Sequence, residues 1–357
     1  MPISEPRPLL RASGALAALV LVAVPALARA DGDSTIVLKS GPASIYNLAG
    51  KVTVEPSDGS SLKVIVTREG DDARELRIAT GVIDGRQTLR VIYPDNRIVY
   101  PEMGSHSRTQ MRVRSDGTFG GKNHSGGSQV TIAGSGNGLE AHADLRVLVP
   151  RNQDVAIRLG VGEATASKVS GSLDIDTGSG NVTAQSTLGS LAIDTGSGDI
   201  RVDGATGQVS LDTGSGDVEV KNVKGGPLSI DTGSGDVTAS DIEVPELMSD
   251  TGSGTVTFER LRSPRVKLET GSGDIEAELL APIDAVTIET GSGEVTLRVP
   301  KDAGAKIALE TGSGGLDVDM PVTMLHREQG ELRAQIGDGR GRIDVETGSG
   351  GIRIAAR

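Results

Sequence analysis

The sequence has no cysteine and very few aromatic residues. It contains no Cys and no Trp, only two Phe and three Tyr, among 357 residues. Without cysteine the chain can form no disulfide and carries no lipid-modified N-terminal cysteine, so its stability must come from packing alone. With so few aromatic residues a conventional large core is excluded, and aliphatic side chains must supply the burial.

Basic residues are also fewer than acidic ones. The chain has 36 Lys and Arg against 48 Asp and Glu, a formal net charge of -12. This balance argues against nucleic acid as a partner and favours cations or basic surfaces. The four histidines are not clustered, so a zinc site is not predicted. No phosphate-binding loop or dinucleotide fingerprint is present.

The N-terminus has the pattern of a secretory signal peptide. Arg7 and Arg11 precede an apolar run over residues 15–24, and Ala28-Arg29-Ala30 fits a cleavage site. The run is too short to span a bilayer, and no later segment is apolar enough. We therefore predict a signal peptide over residues 1–30 and an exported protein, periplasmic, secreted or at the cell surface. An uncleaved anchor is the alternative.

Glycine, by contrast, is abundant, and it lies at fixed places in a repeat. Among the 50 glycines, many belong to nine copies of Thr-Gly-Ser-Gly, spaced 18 to 21 residues apart and finally 36. A fixed period near 20 residues is typical of stacked repeat architectures. The copies begin at Thr177, Thr195, Thr213, Thr232, Thr251, Thr270, Thr290, Thr311 and Thr347.

Alternating aliphatic residues flank each copy. They stand four and two positions before the threonine, as Leu173 and Ile175 do before Thr177, and again after the corner, as Val182 and Ala184 do. Each series is a strand with one buried face. The two series are separated by an odd number of residues, so in one continuous strand they would point to opposite faces. The glycines must therefore bend the chain between them. The sequence thus predicts an all-β fold, a single elongated parallel β-solenoid of about 18–21 residues per coil. We expect it to be right-handed.

The repeat divides the exported chain into two parts. Residues 31–143 read as irregular short strands, interrupted by a loop at 94–128 that contains two prolines and a Gly/Ser-rich end. Residues 144–357 read as the regular solenoid of Thr-Gly-Ser-Gly repeats, with one decayed coil inside the 36-residue gap. Both ends of such a stack need caps.

Acidic residues recur on both sides of the corner. The residue before every threonine is Asp or Glu, and the residue after the corner is acidic in five copies of nine. Both positions point outward by parity, and stacking at about 4.8 Å would make neighbouring carboxylates repel by roughly 0.9 kcal/mol per pair. Bound Ca²⁺ would offset this repulsion. The candidate ligands are Asp194, Asp199, Asp212, Asp217, Asp231 and Asp236.

An alternative interpretation of these carboxylates needs no metal, since they could keep a long sheet soluble and accept hydrogen bonds from corner amides. Ca²⁺ is the one cofactor that the sequence suggests. Asp-Thr-Gly-Ser also occurs in aspartic proteases, but those enzymes need two facing loops, whereas these copies would lie in a one-sided ladder. Nine equivalent serines cannot each be a nucleophile with its own base.

The loop at 94–128 is a basic island on an acidic protein. A loop that protrudes from a rigid scaffold is a common place for binding residues. The predicted partner-binding residues are Tyr100, Arg108, Arg112, Arg114 and Phe119. A tolerated, solvated insertion is the alternative.

Three features of the chain stand out: the repeated unit of strand, Thr-Gly-Ser-Gly-Asp-Val corner and strand, the Val-Pro steps at Pro150 and Pro300, and the signal peptide. In these features the chain resembles the bacterial putative-adhesin β-strand-repeat family of unknown function. The resemblance covers residues 35–357. It implies a β-solenoid exported to the cell envelope, and it brings no catalytic residues to carry over.

Three functions remain as hypotheses. The first is a non-enzymatic exported envelope protein, an adhesin-like binding or scaffold β-solenoid with an unknown envelope or surface partner. The second is a polysaccharide-active β-helix enzyme, which would need a cleft with paired carboxylates and aromatic sugar platforms; the shortage of aromatics speaks against it. The third is a self-assembling envelope filament, and the oligomeric state is left open.

Overall fold

The computed structural model describes residues 33–120 and 126–357, so the predicted signal peptide lies outside the described residues. The described part contains 30 strands and, as helix, only two short 3₁₀ turns, Ala73–Glu75 and Pro101–Met103. The prediction of an all-β, solenoid-like fold is confirmed. No helix within 33–120 or 126–357 is long and apolar enough to cross a membrane.

The N-terminal strands are irregular in length and direction. The first six are β1 (Ser34–Leu38), β2 (Ala43–Ala49), β3 (Val52–Ser57), β4 (Leu62–Glu69), β5 (Arg77–Ile83) and β6 (Arg86–Ile92). The next three form a separate small sheet: β7 (Arg97–Val99), β8 (Arg108–Val113) and β9 (Ser128–Ala133).

The stacked strands follow from β10 onward. The first nine are β10 (His142–Pro150), β11 (Gln153–Val161), β12 (Ala164–Ser167), β13 (Ser170–Ser179), β14 (Val182–Thr195), β15 (Ile200–Thr213), β16 (Val218–Lys221), β17 (Lys224–Thr232) and β18 (Val237–Glu243). The next eight are β19 (Glu246–Thr251), β20 (Val256–Arg262), β21 (Arg265–Thr270), β22 (Ile275–Leu279), β23 (Ala285–Ser292), β24 (Val295–Val299), β25 (Ala305–Thr311) and β26 (Leu316–Asp319). The last four are β27 (Thr323–Glu328), β28 (Glu331–Ile336), β29 (Gly341–Ser349) and β30 (Ile352–Ala356).

The repeats stack in parallel and in strict register. Thr195 is the register partner of Thr177 on one side and of Thr213 on the other, and the same pairing continues through Thr232, Thr251, Thr270 and Thr290. The strands that follow each corner pair in the same way, as Val182 does with Ile200. Equivalent residues of successive coils therefore form continuous columns.

The predicted inward residues form one continuous aliphatic core. The columns two and four positions before the threonine, and five and seven after it, are almost fully buried except at Leu316 and Val318, which are half-buried. Phe258 and Ser249 are the unusual members of these columns. A further inward column, which was not predicted, lies in the return segments between the coils. Its members are Val169, Thr187, Ala205, Val223, Ile242, Leu261 and Leu279.

The N-terminal strands belong to the same large sheet. β2 pairs in parallel with β11, and β3 pairs in parallel with both β12 and β10. Antiparallel strands then close this end: β4 lies between β10 and β1, and β5 lies beside β6. The irregular sequence of this part reflects its function as the end of the stack, because antiparallel strands break the repeat.

The C-terminal coils do not follow sequence order. We expected the 36-residue gap to hold one decayed coil in sequence with the others, but it contains an antiparallel hairpin, β27 and β28, whose second strand pairs with β25. The last coil, β29 and β30, lies between the coil of β23 and β24 and the coil of β25 and β26. In space, Thr347 therefore stands between Thr290 and Thr311.

The glycine corners approach one another closely. Gly235 has a φ of +147°, and a Cβ added to it would stand 2.0 Å from the carbonyl oxygen of Gly216 in the preceding coil. Thr213, which is fully buried, donates its hydroxyl to the carbonyl oxygen of Gly198 at 3.1 Å. Any side chain at the second glycine of a corner would separate the coils that these contacts join.

Gly235→Ala should destabilise the protein by about 2 kcal/mol or more, because the new methyl group collides with backbone and the positive φ becomes strained. The measurement is urea unfolding of residues 31–357. Gly315→Ala is the matched control, since a Cβ there meets nothing within 4 Å; it should change the free energy of unfolding by less than about 0.5 kcal/mol. Equal losses in the two variants would contradict the close approach.

Candidate functional site

One column of the stack consists of carboxylates alone. The residues that precede the corner threonines lie in register as neighbours on adjacent strands, about 4.8 Å apart. In spatial order this acidic ladder is Asp176, Asp194, Asp212, Asp231, Asp250, Glu269, Glu289, Glu346 and Glu310. The strand alternation predicts that these carboxylates point outward, and none of them is buried.

Basic side chains contact the acidic ladder at its first member and again near its middle. Arg158 lies beyond the first member and contacts Asp176 at 3.5 Å, and Lys267 contacts Glu269 at 2.8 Å. The strands after the corner differ, because some neighbouring coils carry opposite charges there, as in the ion pair of Arg201 and Glu219. The acidic ladder is thus a surface whose negative charge is neutralised by few basic side chains.

Stacking raises the pKa of four ladder carboxyls. Partial burial is the larger cause for Asp194, Asp212, Asp231 and Asp250, and the negative charge of neighbouring ladder members adds to it. Both effects disfavour the charged form of the carboxyl. The ladder therefore costs the folded protein some stability at neutral pH.

The acidic residues that follow the corner form a second row, and their carboxylates accept hydrogen bonds from the backbone. Asp199 Oδ1 accepts the backbone N–H of Asp217 at 3.0 Å, and Asp217 Oδ1 accepts that of Asp236 at 2.9 Å. Asp236 Oδ1 in turn accepts the N–H of Thr255 at 2.8 Å. These carboxylates bond corner amides from one coil to the next, as the metal-free interpretation predicts.

The six predicted Ca²⁺ ligands are divided between these two rows. Asp194, Asp212 and Asp231 belong to the acidic ladder, whereas the other three lie after the corner and bond the next coil. Within residues 33–120 and 126–357, no group of three or more acidic or histidine side chains is arranged to hold a metal ion. A calcium cage therefore finds no support in the geometry of the described residues.

The described part of the predicted binding loop contributes β7 and β8, which pair with β9 in the small three-stranded sheet. Its inner face rests on a second hydrophobic cluster, in which Ile98, Val130 and Ile132 pack with Leu48 and Val161 of the large sheet. The sheet also reaches the corners of the stack, since the Met111 side chain lies against the backbone at Gly160 and Gly178. The described part of the loop is therefore supported by packing against the large sheet.

The structure corrects the expected position of two predicted binding residues. Tyr100 is only 2% exposed and Phe119 only 5%, because both belong to the second hydrophobic cluster. Phe119 contacts Tyr46 edge to face, with ring centroids 5.7 Å apart. These two aromatic side chains support the small sheet from inside and present no surface to a partner.

Three arginines form the exposed polar side of the small sheet. Arg108 and Arg112 alternate with inward residues along β8, and Arg97 lies on β7, next to Thr131 of β9. All three are exposed, and no carboxylate of the described residues lies within ion-pair distance of them. We call Arg97, Arg108 and Arg112 the arginine face. Arg97 was not among the predicted site residues, although it is one of the basic residues of the loop at 94–128.

Arg114 differs from these three. It is partly buried and donates to Thr118 Oγ1 at 3.0 Å and to the Gly120 carbonyl at 3.2 Å. Its guanidinium thus holds the turn that follows β8, and it is a structural neighbour of the arginine face.

The model of the family described as Toastrack DUF4097 matches residues 109–355, which is more than half of the chain. The chain belongs to the Toastrack DUF4097 family. This assignment agrees with the predicted resemblance. The match spans the whole acidic ladder and strand β9, so the Toastrack DUF4097 region includes both the regular coils and most of the small sheet.

Two solved structures are similar to this Toastrack DUF4097 chain. One is a putative cell adhesion protein from Clostridium sporogenes, 13% identical, with a TM-score of 0.21 over 91% of this chain and 99% of that one. The other is a putative adhesin from Bacteroides fragilis, 10% identical, with a TM-score of 0.35 over 91% of this chain and 98% of that one. None of the curated proteins compared with the chain matches it.

Asp217→Ala should destabilise the protein by about 1 kcal/mol, because the backbone N–H of Asp236 loses its acceptor. Asp217→Asn keeps an acceptor oxygen and should stay within about 0.5 kcal/mol of the parent. Both are measured by urea unfolding in chelator and again in millimolar Ca²⁺. A large loss of stability on Asp217→Asn that appears only in Ca²⁺ would contradict the hydrogen-bonding function and favour a metal site.

Asp212→Asn should stabilise the protein at neutral pH by up to about 1 kcal/mol at low ionic strength, since it removes repulsion with two ladder neighbours. The pKa of Asp212 is raised in the folded state, so its destabilising effect is present above that pKa and disappears as the pH falls toward the unfolded value. The gain over the parent should therefore vanish in acid. Asp58→Asn, an exposed carboxylate outside the ladder, is the control; thermal melts that show the same gain for both variants would contradict ladder repulsion.

Proposed function

We propose that this protein is a non-enzymatic, exported component of the cell envelope, an adhesin-like binding or scaffold β-solenoid with right-handed coils. The signal-peptide pattern of residues 1–30 supports export to the periplasm, the cell surface or the medium. The Toastrack DUF4097 fold supplies a rigid stack, which suits presentation of a binding surface better than catalysis.

The arginine face carries the binding part of the proposal. It places three exposed guanidinium groups, without carboxylate partners among the described residues, on a chain of net charge -12. Unpaired arginines on a supported sheet can donate paired hydrogen bonds to carboxylate or phosphate groups of a partner. We infer that the partner is an anionic component of the envelope.

Rigid support favours this surface over a solvated insertion. The second hydrophobic cluster buries Tyr100 and Phe119 directly behind it, and Tyr93 donates a hydrogen bond to Asn47 Oδ1 at 2.9 Å where the small sheet meets the large one. Pre-ordered side chains lose less conformational entropy on binding than those of a flexible loop.

The alternative of a polysaccharide-active enzyme has less support. None of the five aromatic residues is exposed, so no aromatic platform is available to stack on a sugar ring. Two cavities beside the small sheet measure about 290 and 240 Å³, and among the described residues each is lined by one carboxylate, Asp176 or Asp95. Hydrolysis of a glycosidic bond by the usual route requires two.

The test is co-sedimentation of residues 31–357 with isolated bacterial envelopes at low and high NaCl. The triple variant R97A/R108A/R112A should bind roughly tenfold more weakly at low salt, and high salt should weaken the parent in the same way. The matched control is R146A/R201A/R298A, which removes the same charge from arginines that are already paired with Glu55, Glu219 and Glu276. Equal binding by the two triple variants would overturn the assignment of this face.

A further inference from the structure

The C-terminal coil occupies a place that the sequence order leaves open. From β24 the chain passes to β25 without filling the adjacent position in the sheet, and β29 later enters between β23 and β25. β30 enters in the same way between β24 and β26. Two strand spacings, about 9.6 Å, thus separate β23 from β25.

The inserted coil is bonded on both sides. Toward β25 and β26, Gly350 N donates to Ser313 O and Ile352 N to Gly315 O, each at 2.9 Å. Toward β23 and β24, the N–H of Gly293 donates to Ser349 O at the same distance. Without this coil, two strand edges would face each other with unpaired backbone groups, which is costly for a buried sheet.

Side chains of the inserted coil complete the core. Ile343, Val345, Ile352 and Ile354 are each at most 2% exposed. The corner threonine repeats the pattern of the stack, since Thr347 donates its hydroxyl to the carbonyl oxygen of Gly293 at 3.1 Å. The gap therefore accepts a strand pair in one register, which both its hydrogen bonds and its apolar positions define.

A short glycine-rich turn joins this coil to the rest of the chain. Residues 337–340 connect β28 to β29, and Gly337 and Gly339 have φ values of +50° and +69°. Asp338 and Arg340, between and after them, are exposed and form an ion pair with each other at 3.0 Å. Such a turn can open without disturbing the core, because it contributes no buried apolar side chain.

We propose that the C-terminal coil is an exchange element, and that the gap between β23 and β25 of one copy accepts β29 and β30 of a second copy. The contacts inside the gap are identical in the closed monomer and in the exchanged assembly, so only the turn at 337–340 and the protein concentration decide between them. This association does not involve the arginine face, and it stands independently of the proposed binding function. Glu346 moves with the coil, so the acidic ladder is the same in the monomer and in the exchanged assembly.

The absence of cysteine provides a clean test. Glu289 and Glu346 are register partners on adjacent strands, at a spacing that a disulfide can bridge. One copy carries E289C, and a second copy with a size tag carries E346C. The two are mixed in denaturant, refolded together over a range of concentrations, oxidised, and separated on a non-reducing gel. Neither chain can form an intramolecular disulfide, so the mixed dimer reports the coil of one copy in the gap of the other.

The matched control pairs E269C with E346C. Glu269 lies one strand farther from the gap, about 9.6 Å from Glu346, which is beyond disulfide reach and gives the background of random oxidation. We expect the mixed dimer of E289C and E346C to exceed this background by roughly tenfold or more at high concentration and to decrease on dilution.

The double variant E289C/E346C in one chain, refolded at high dilution, should form an intramolecular disulfide. Absence of this disulfide would overturn the register on which the proposal rests. If the double variant forms its disulfide and the mixed dimer stays at the control level at every concentration, the C-terminal coil does not exchange and the proposal is wrong.

Discussion

The whole structure depends on how closely the glycine corners of successive coils approach each other. At the second glycine of a corner, the carbonyl oxygen of the preceding coil occupies the place where a Cβ would be, as Gly216 does at Gly235. The backbones can therefore stack at strand spacing through the bend, and the hydrogen-bond ladder continues around the corner. This fixes the register of every coil, since a slip by one residue would bring a side chain into that space and turn the apolar columns outward.

Strict register has an electrostatic consequence. A repeated sequence that stacks in register places like charges side by side. The chain reduces the resulting repulsion in two ways. On the strands after the corner, Arg201 and Glu219 of neighbouring coils form an ion pair. Asp199 and Asp217 accept hydrogen bonds from backbone amides of the next coil. The acidic ladder has few such contacts, and partial burial together with neighbouring negative charge raises the pKa of four of its carboxyls, those of Asp194, Asp212, Asp231 and Asp250.

The two ends of the stack are closed by elements that leave the repeat. At the N-terminal end, antiparallel strands β1, β4 and β5 cover the parallel strands, and the small sheet packs beside them over the second hydrophobic cluster. At the other end the hairpin of β27 and β28 covers β25. The arginine face and the turn at 337–340 both lie in these non-repeating parts, where the sequence is free of the constraint that the corners impose.

The sequence by itself determined the period, the buried and exposed columns and the corner glycines, because these follow from local spacing and the two-residue period of a strand. It also indicated the basic character of the small sheet. Only the tertiary structure decided that Tyr100 and Phe119 are buried, since an aromatic residue in an irregular segment has no period to reveal its side. It alone placed Thr347 between Thr290 and Thr311. Every coil presents the same register to every other, so which coils become neighbours is set by chain connectivity and by the burial gained when the last coil closes the gap.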